Sequence, residues 1–345
     1  MELLRKLTQT PGVAGREEQI SAVVRGEMES ICDEVRSDAL GNLVGIKKGT
    51  GQGRVMLAAH MDEIGFLVKY IDDKGFLRLQ PVGGFDPRTL MAQRVTVHGK
   101  EDLPGNLSPA TKPIHILTEE EKKKQLQIKD FFIDVGLPAE RVKELVEVGD
   151  AVSLRQEFVP LGDTYSSKAM DNRAGVLVML EGVRQLQASA GEIYLVATTQ
   201  EEVGLRGALT SAFGLDPDIG VALDTTLSAD FPGGEEAEQV TRMGEGVGIK
   251  IMDSASISDR RLVKTMKEIA QQEEIPYQLE ILPRGGTDAG AMQITREGIP
   301  VVTLSVPCRY VHTVNEMVHS RDLEAAINLL SSFLQRGGFK EYRPS

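Results

Sequence analysis

Two adjacent glutamates, Glu201 and Glu202, follow the apolar run EIYLVATT. Side chains alternate faces along a strand, so neighbouring carboxylates share a face only where the chain is already turning. Each is also costly to bury unpaired. Four more short polar motifs stand beside apolar strands or helix starts: AHMD with His60 and Asp62, KAMDNRAG with Asp171, VALDTT with Asp224 and YVHTVNE with His312. Singly, each has a plain reading: His60 as a half-buried histidine, Asp171 as a helix cap, Asp224 as the start of a turn, His312 as a loop residue. Jointly, two imidazoles and several carboxylates with no cysteine match the donor set of zinc, cobalt or manganese. In HMD the two polar residues lie two apart, on one strand face if the strand continues. Asp62 then accepts the second ring N–H of His60.

Such residues act together only if the fold gathers their segments. A first helix is predicted over about 15–32, then two strands within SDALGNLVGIKKGTGQGRVMLAAH, the second over 54–60. GTGQG precedes a strand and lacks Gly-Lys-Ser/Thr, so it is not a phosphate loop. From about 71 to 162 the texture becomes short alternating strands punctuated by Gly, Pro and Asp, the pattern of a small barrel or sandwich. Within it only 118–146 reads as helical or loop-like. Strand and helix then alternate, with helices predicted over 172–188, 204–213, 258–274, 287–296 and 321–335. Strands are predicted over 192–199, 219–223 and 299–306. This is an α/β layer fold interrupted by an all-β insertion, and such folds place their sites at strand ends and the turns after them.

Composition narrows the partners. The 345 residues are 41% hydrophobic with a formal charge of −12, enough for one large or two ordinary domains with a real core. An acidic chain argues against nucleic acid and anionic membranes as partners. The run TEEEKKKQ, with Glu119 and Glu120 four residues before Lys123 and Lys124, reads as a solvated helix face. Cys32 and Cys308 form no disulfide framework and no CxxC pair. The start, MELLRKLTQTPG, lacks a signal-peptide core, and no apolar run nears the roughly 18 residues of a membrane span. A soluble, cytoplasmic protein is expected.

In order along the chain, AHMDEIGF, SSKAMDNRAG, TTQEEVGLRGA, ALDTT, GGTDAGAM and RYVHTVNEM resemble the motifs of the tetrahedral, or glutamyl/deblocking, aminopeptidases, a group of dinuclear metallopeptidases. The resemblance spans nearly the whole chain. It implies an α/β fold: a mixed sheet with helices on both faces, of the phosphorylase/hydrolase-like zinc peptidase kind, in residues 1–70 and 163–345. A small PDZ-like β-barrel that pairs subunits is expected over 71–162. The resemblance further implies that Asp171 bridges two divalent ions, zinc foremost and cobalt or manganese as alternatives. His60 and Asp224 would complete one site, Glu202 and His312 the other, with Glu201 as general base; Asp62, through the ring of His60, is the second residue expected to be catalytic. Two divalent ions bring four positive charges against three negative ones from Asp171, Glu202 and Asp224, which favours a bound hydroxide. Glu201 would take that proton and pass it to the leaving amine, while the ions stabilise the developing oxyanion.

In PRGGTDAG, Gly286, Thr287 and Asp288 are expected to line the substrate, facing it with the free N–H groups of a helix start. Turn glycines followed by Thr287 as an N-cap is the plainer account. Lys168, Arg309 and Tyr310 stand beside ligand motifs without an assigned role, and 230–239 reads as an exposed loop able to tune specificity. The expected activity is removal of N-terminal residues from short peptides with a free N-terminus, by subunits paired into dimers and a dodecameric cage. A carboxypeptidase or amide deacylase with the same metal chemistry is the alternative. A glycosidase is more remote: it would leave His60 and His312 idle, and a chain with 5% aromatics and no Trp offers little for sugars to stack on.

Overall fold

The apolar runs RVMLAAH, EIYLVAT, IGVALDTTL and VVTLSVPCR are buried along nearly their whole lengths, as strands covered on both faces must be. Arg54–His60 lies between Glu192–Thr198 and Ile219–Leu227, parallel to both, and Val301–Arg309 continues the parallel centre beside Ile219–Leu227. Antiparallel strands extend it at both ends: Leu43–Lys47 and Glu34–Ser37 on one side, Glu316–His319, Thr164–Ser167 and Val159–Leu161 on the other. Val247–Met252 and Tyr277–Ile281 branch from Val301–Arg309. The result is the expected mixed sheet, in this computed structural model, which describes residues 1–186, 188–337 and 339–342. Residues 187, 338 and 343–345, inside the expected catalytic segment 163–345, lie outside the described residues.

Strand alternation sorts the core into two layers. Val55, Leu57 and Ala59 face the larger cluster, built with Leu4, Leu7, Ile20, Val176, Leu180, Met266 and Leu330 from the helices on that side. Met56 and Ala58 face the opposite cluster, closed by Ala208, Ala212, Ala289 and Met292. The helix Met170–Arg184 is buried almost all round. Gly175 lets it approach the sheet, because a Cβ there would collide with the Leu223 carbonyl oxygen.

The insertion is a closed antiparallel barrel ordered Gly65–Ile71, Leu77–Val82, Phe131–Asp134, Asp102–Pro109, Gln93–His98, Ala151–Arg155. It has its own core of Phe66, Val68, Val95, Val97, Leu107, Phe131, Ile133 and Val152, and closure removes the edges an open sheet would expose. Its strands run from 65 to 155 rather than 71 to 162: Gly65–Ile71 opens it, and Val159–Leu161 belongs to the main sheet. Phe131–Asp134, in the stretch read as helical or loop-like, is a barrel strand, too short for alternation to declare it. Near the N-terminus, the expected helix is Glu18–Met28. Glu2–Gln9, unforeseen, precedes it and buries Leu4 and Leu7. Among the described residues no helix is long and apolar enough to cross a membrane.

Candidate active site

Parallel pairing sets Thr198 opposite His60, so the turn after one strand meets the end of the next. Asp224 joins them from Ile219–Leu227, Asp171 from the first turn of Met170–Arg184, and His312 from the turn between Val301–Arg309 and Glu316–His319. His60 Nε2 lies 3.3 Å from Asp171 Oδ1, 3.8 Å from Asp224 Oδ1 and 3.9 Å from Glu201 Oε2. His312 Nε2 lies 3.3 Å from Glu202 Oε2 and 3.6 Å from Asp171 Oδ2. Asp171 therefore turns one oxygen to each ring. Ligand atoms of His60, Asp171 and Glu202 lie within 4.8 Å of one another, as do those of His60, Glu201 and Asp224. The second group includes Glu201, so distance alone does not separate base from ligand there.

These spacings fit shared ions better than direct hydrogen bonds. Donors about 2.0–2.1 Å from a tetrahedral zinc stand roughly 3.3–3.4 Å apart, whereas hydrogen-bonded N and O atoms close to nearer 2.9 Å. The electrostatics agree. Burial pushes Glu201 well above the usual carboxylate range, with Asp224, Asp288 and Glu202 adding to it against His60. Asp224 is raised well above its range chiefly by burial, and Glu202 is raised for the same reason. Burial would lower both histidines, but the charge of Glu201 lifts His60 well above its ordinary value. Contact with the Glu202 carboxylate and its charge lift His312 to about 10. The nearby buried lysines are engaged elsewhere, Lys250 with Glu280 at 2.8 Å and Lys168 with Glu63 at 2.5 Å. Such a crowd of carboxylates and imidazoles is what divalent ions, displacing protons, would balance.

Around this centre the second layer differs from expectation. His60 Nδ1 meets the Asp62 backbone carbonyl at 3.1 Å, while the Asp62 carboxylate lies 3.6 Å from that nitrogen. That carboxylate instead accepts the backbone N–H of Glu201 at 3.0 Å and of Glu202 at 3.2 Å. The strand ends at His60, so alternation stops there and Asp62 turns to the neighbouring loop. The loop in turn sends Glu201 towards His60 and Glu202 towards His312, which accounts for two carboxylates placed side by side. Glu316, unassigned from the sequence, holds the other half: its Oε2 accepts from Asp171 N at 2.9 Å and its Oε1 from His312 N at 2.7 Å. Its position four residues after His312, inside YVHTVNE, was the available signal.

The site opens into a cavity of about 530 Å³ whose walls include Leu205, Leu227, Leu282, Arg284, Gly286 and Thr287. Asp288 does not line it. That side chain is buried behind the wall and accepts from Thr198 Oγ1 at 2.5 Å. Thr287 stands at the N-cap of Asp288–Gln293 without a side-chain cap bond; its hydroxyl donates to Asp253 at 3.2 Å. Of the residues left unassigned, Lys168 pairs with Glu63 and Arg309 with Asp230, while Tyr310 is exposed in a left-handed turn at φ 61°.

Residues 41–329 match the family described as M42 glutamyl aminopeptidase. The chain is 36% identical to the lysyl aminopeptidase of Pyrococcus furiosus, across 97% of this chain and 96% of that one. An aminopeptidase from the archaeon Desulfurococcus kamchatkensis has a similar structure, with a TM-score of 0.94 at 39% identity, covering 99% of this chain and 96% of its own. The Pyrococcus horikoshii TET1 peptidase, described as able to assemble into a tetrahedron or a large octahedral shell, matches with a TM-score of 0.86 at 34% identity over 96% and 98% of the two chains.

Proposed function

The chain belongs to the M42 glutamyl aminopeptidase family, and from that premise we propose that it is a dinuclear metallo-aminopeptidase acting on short peptides with a free N-terminus. One observation carries the dinuclear reading: Asp171 directs Oδ1 to His60 and Oδ2 to His312, from 3.3 and 3.6 Å. His60, Asp171 and Asp224 would hold one divalent ion, and Asp171, Glu202 and His312 the other, with zinc the first choice for a nitrogen and carboxylate donor set and cobalt or manganese compatible with it. When bound, the ions would polarise the scissile carbonyl and make a water acidic enough to attack it at neutral pH.

Glu201 takes the proton of the attacking water and returns it to the leaving amine. Asp62 keeps Glu201 and Glu202 aimed apart through their backbone amides. Gly286 and Thr287 form part of the wall against which the substrate lies. The barrel, which carries none of these groups, pairs subunits into dimers and a hollow assembly that admits peptides and excludes folded proteins, in the cytoplasm. Activity on aminoacyl amides compared with their N-acylated forms tests the reading. Cleavage of the free-amine substrates alone is expected, and preference for acylated ones would make the chain a deacylase.

A further inference from the structure

The turn that carries Glu201 and Glu202 offers four consecutive backbone N–H groups, and each is accepted by a side chain from elsewhere. Asn42 Oδ1 takes Thr199 N at 3.0 Å, Glu17 Oε1 takes Gln200 N at 3.1 Å, and the two Asp62 oxygens take Glu201 and Glu202. Gln200 needs that support most. Its φ of 56° lies in the left-handed region, which a residue with a side chain adopts only when its surroundings hold it there.

Glu17 is the unexplained member of this set. It stands at the N-cap of Glu18–Met28, yet its side chain makes no cap bond to that helix. It is 7% exposed and forms no ion pair among the described residues. The buried Arg173 guanidinium acts on it only from beyond contact distance, and burial pushes this carboxyl up to about 7. Its Oε1 accepts Gly15 N at 2.7 Å as well as Gln200 N. The segment it belongs to also braces the other catalytic turn, since Glu63 N donates to Gly12 O and Ala14 N to Glu63 O, directly after Asp62. One short N-terminal stretch thus touches both turns of the site.

We propose that Glu17 is a positioning residue of the catalytic turn: by accepting the Gln200 amide, its Oε1 fixes the left-handed bend that presents Glu201 to the reacting water. The inference rests on Glu201 being the base. What matters is the reach of the acceptor oxygen and not its charge, which separates two conservative substitutions. Glu17→Gln keeps an oxygen at the same distance. Glu17→Asp keeps the carboxylate and withdraws it by one C–C bond, roughly 1.5 Å.

The test measures kcat and KM on an aminoacyl amide and metal content for wild type, Glu17→Gln, Glu17→Asp and Glu17→Ala. Amide hydrogen exchange of peptides spanning 199–205 is followed in the metal-free proteins. Asp and Ala should lower kcat on the order of tenfold or more, leave KM and metal content near wild type, and speed exchange in 199–205. Gln should restore both kcat and protection. An impaired Gln variant beside an intact Asp variant would overturn the proposal in favour of charge, and unchanged exchange in Asp and Ala would overturn it outright. If Ala fails to fold, the Gln and Asp pair decides alone. Glu201→Gln is run alongside: its retaining full turnover would remove the base assignment itself, a failure distinguishable from that of Glu17.

Discussion

Replacing Glu17 with glutamine should make the protein relatively more stable as pH rises, because the folded state binds the Glu17 proton more tightly than the unfolded chain does. Its carboxyl sits at about 7 in the fold against 4.5 in the open chain, with burial as the main cause and the charge of Asp62 acting in the same direction. The sign follows from linkage: between those values the folded state holds more protons, so stability falls as pH increases. The contribution is fully present below 4.5 and is lost as pH climbs through 7. Between pH 5 and pH 8 the loss amounts to about 2–3 kcal/mol, taking 1.36 kcal/mol for each unit. Glutamine carries no such proton. Paired thermal melts of wild type and Glu17→Gln, in the same metal-supplemented buffers, cancel the titrating groups that Glu17 does not act on. For a chain of this length the difference in midpoint should move by about 3–4 °C in favour of the variant from pH 5 to pH 8. A difference that stays flat over that range would show that Glu17 is not a buried, proton-holding carboxyl.

Glu201→Gln should lower kcat by at least about 10²-fold with metal content near wild type, whereas Glu202→Gln should lose metal from one site; metal analysis beside steady-state kinetics separates the two. Lys168→Met leaves Glu63 buried with only the Gly12 amide and a distant Arg173 at 4.0 Å. It should destabilise the fold by about 3 kcal/mol, the lower end for a broken buried pair, read as a lowered denaturation midpoint. Light scattering should find the protein well above its 37.6 kDa chain mass, and replacing residues 65–155 by a short linker should yield monomers; a full-length monomer at working concentration would exclude an assembly role for the barrel.

The elements that position the site were legible because their signals are local. Four of the apolar runs that lead into the motifs are buried strands, and the stretch after KAMD is a buried helix. The side chains that hold the backbone of the site were not legible, because their partners are remote. Glu17 meets Gln200 across 183 residues and Asn42 meets Thr199 across 157, and no periodicity encodes such pairs. An Asp62 carboxylate on the His60 ring requires the strand to continue; it stops at His60, and the carboxylate is redirected to two amides. Asp288, expected with its neighbours to line the substrate, is turned to Thr198 by burial of the helix start. Tyr277–Ile281 and Glu316–His319 escaped for the reason that hid Phe131–Asp134: four or five residues with mixed burial carry too little pattern.

The central claim is that Asp171 joins two divalent ions that peptide cleavage requires, and metal stoichiometry measured on the same sample as aminoacyl-amide turnover tests it most directly. Two ions per chain are expected in the active wild type. Exhaustive chelation should abolish turnover, with zinc, cobalt or manganese restoring it to different extents. Asp171→Ala should empty both sites, while His60→Ala empties mainly one. Full turnover after chelation, with no metal detected in the protein, would contradict the account.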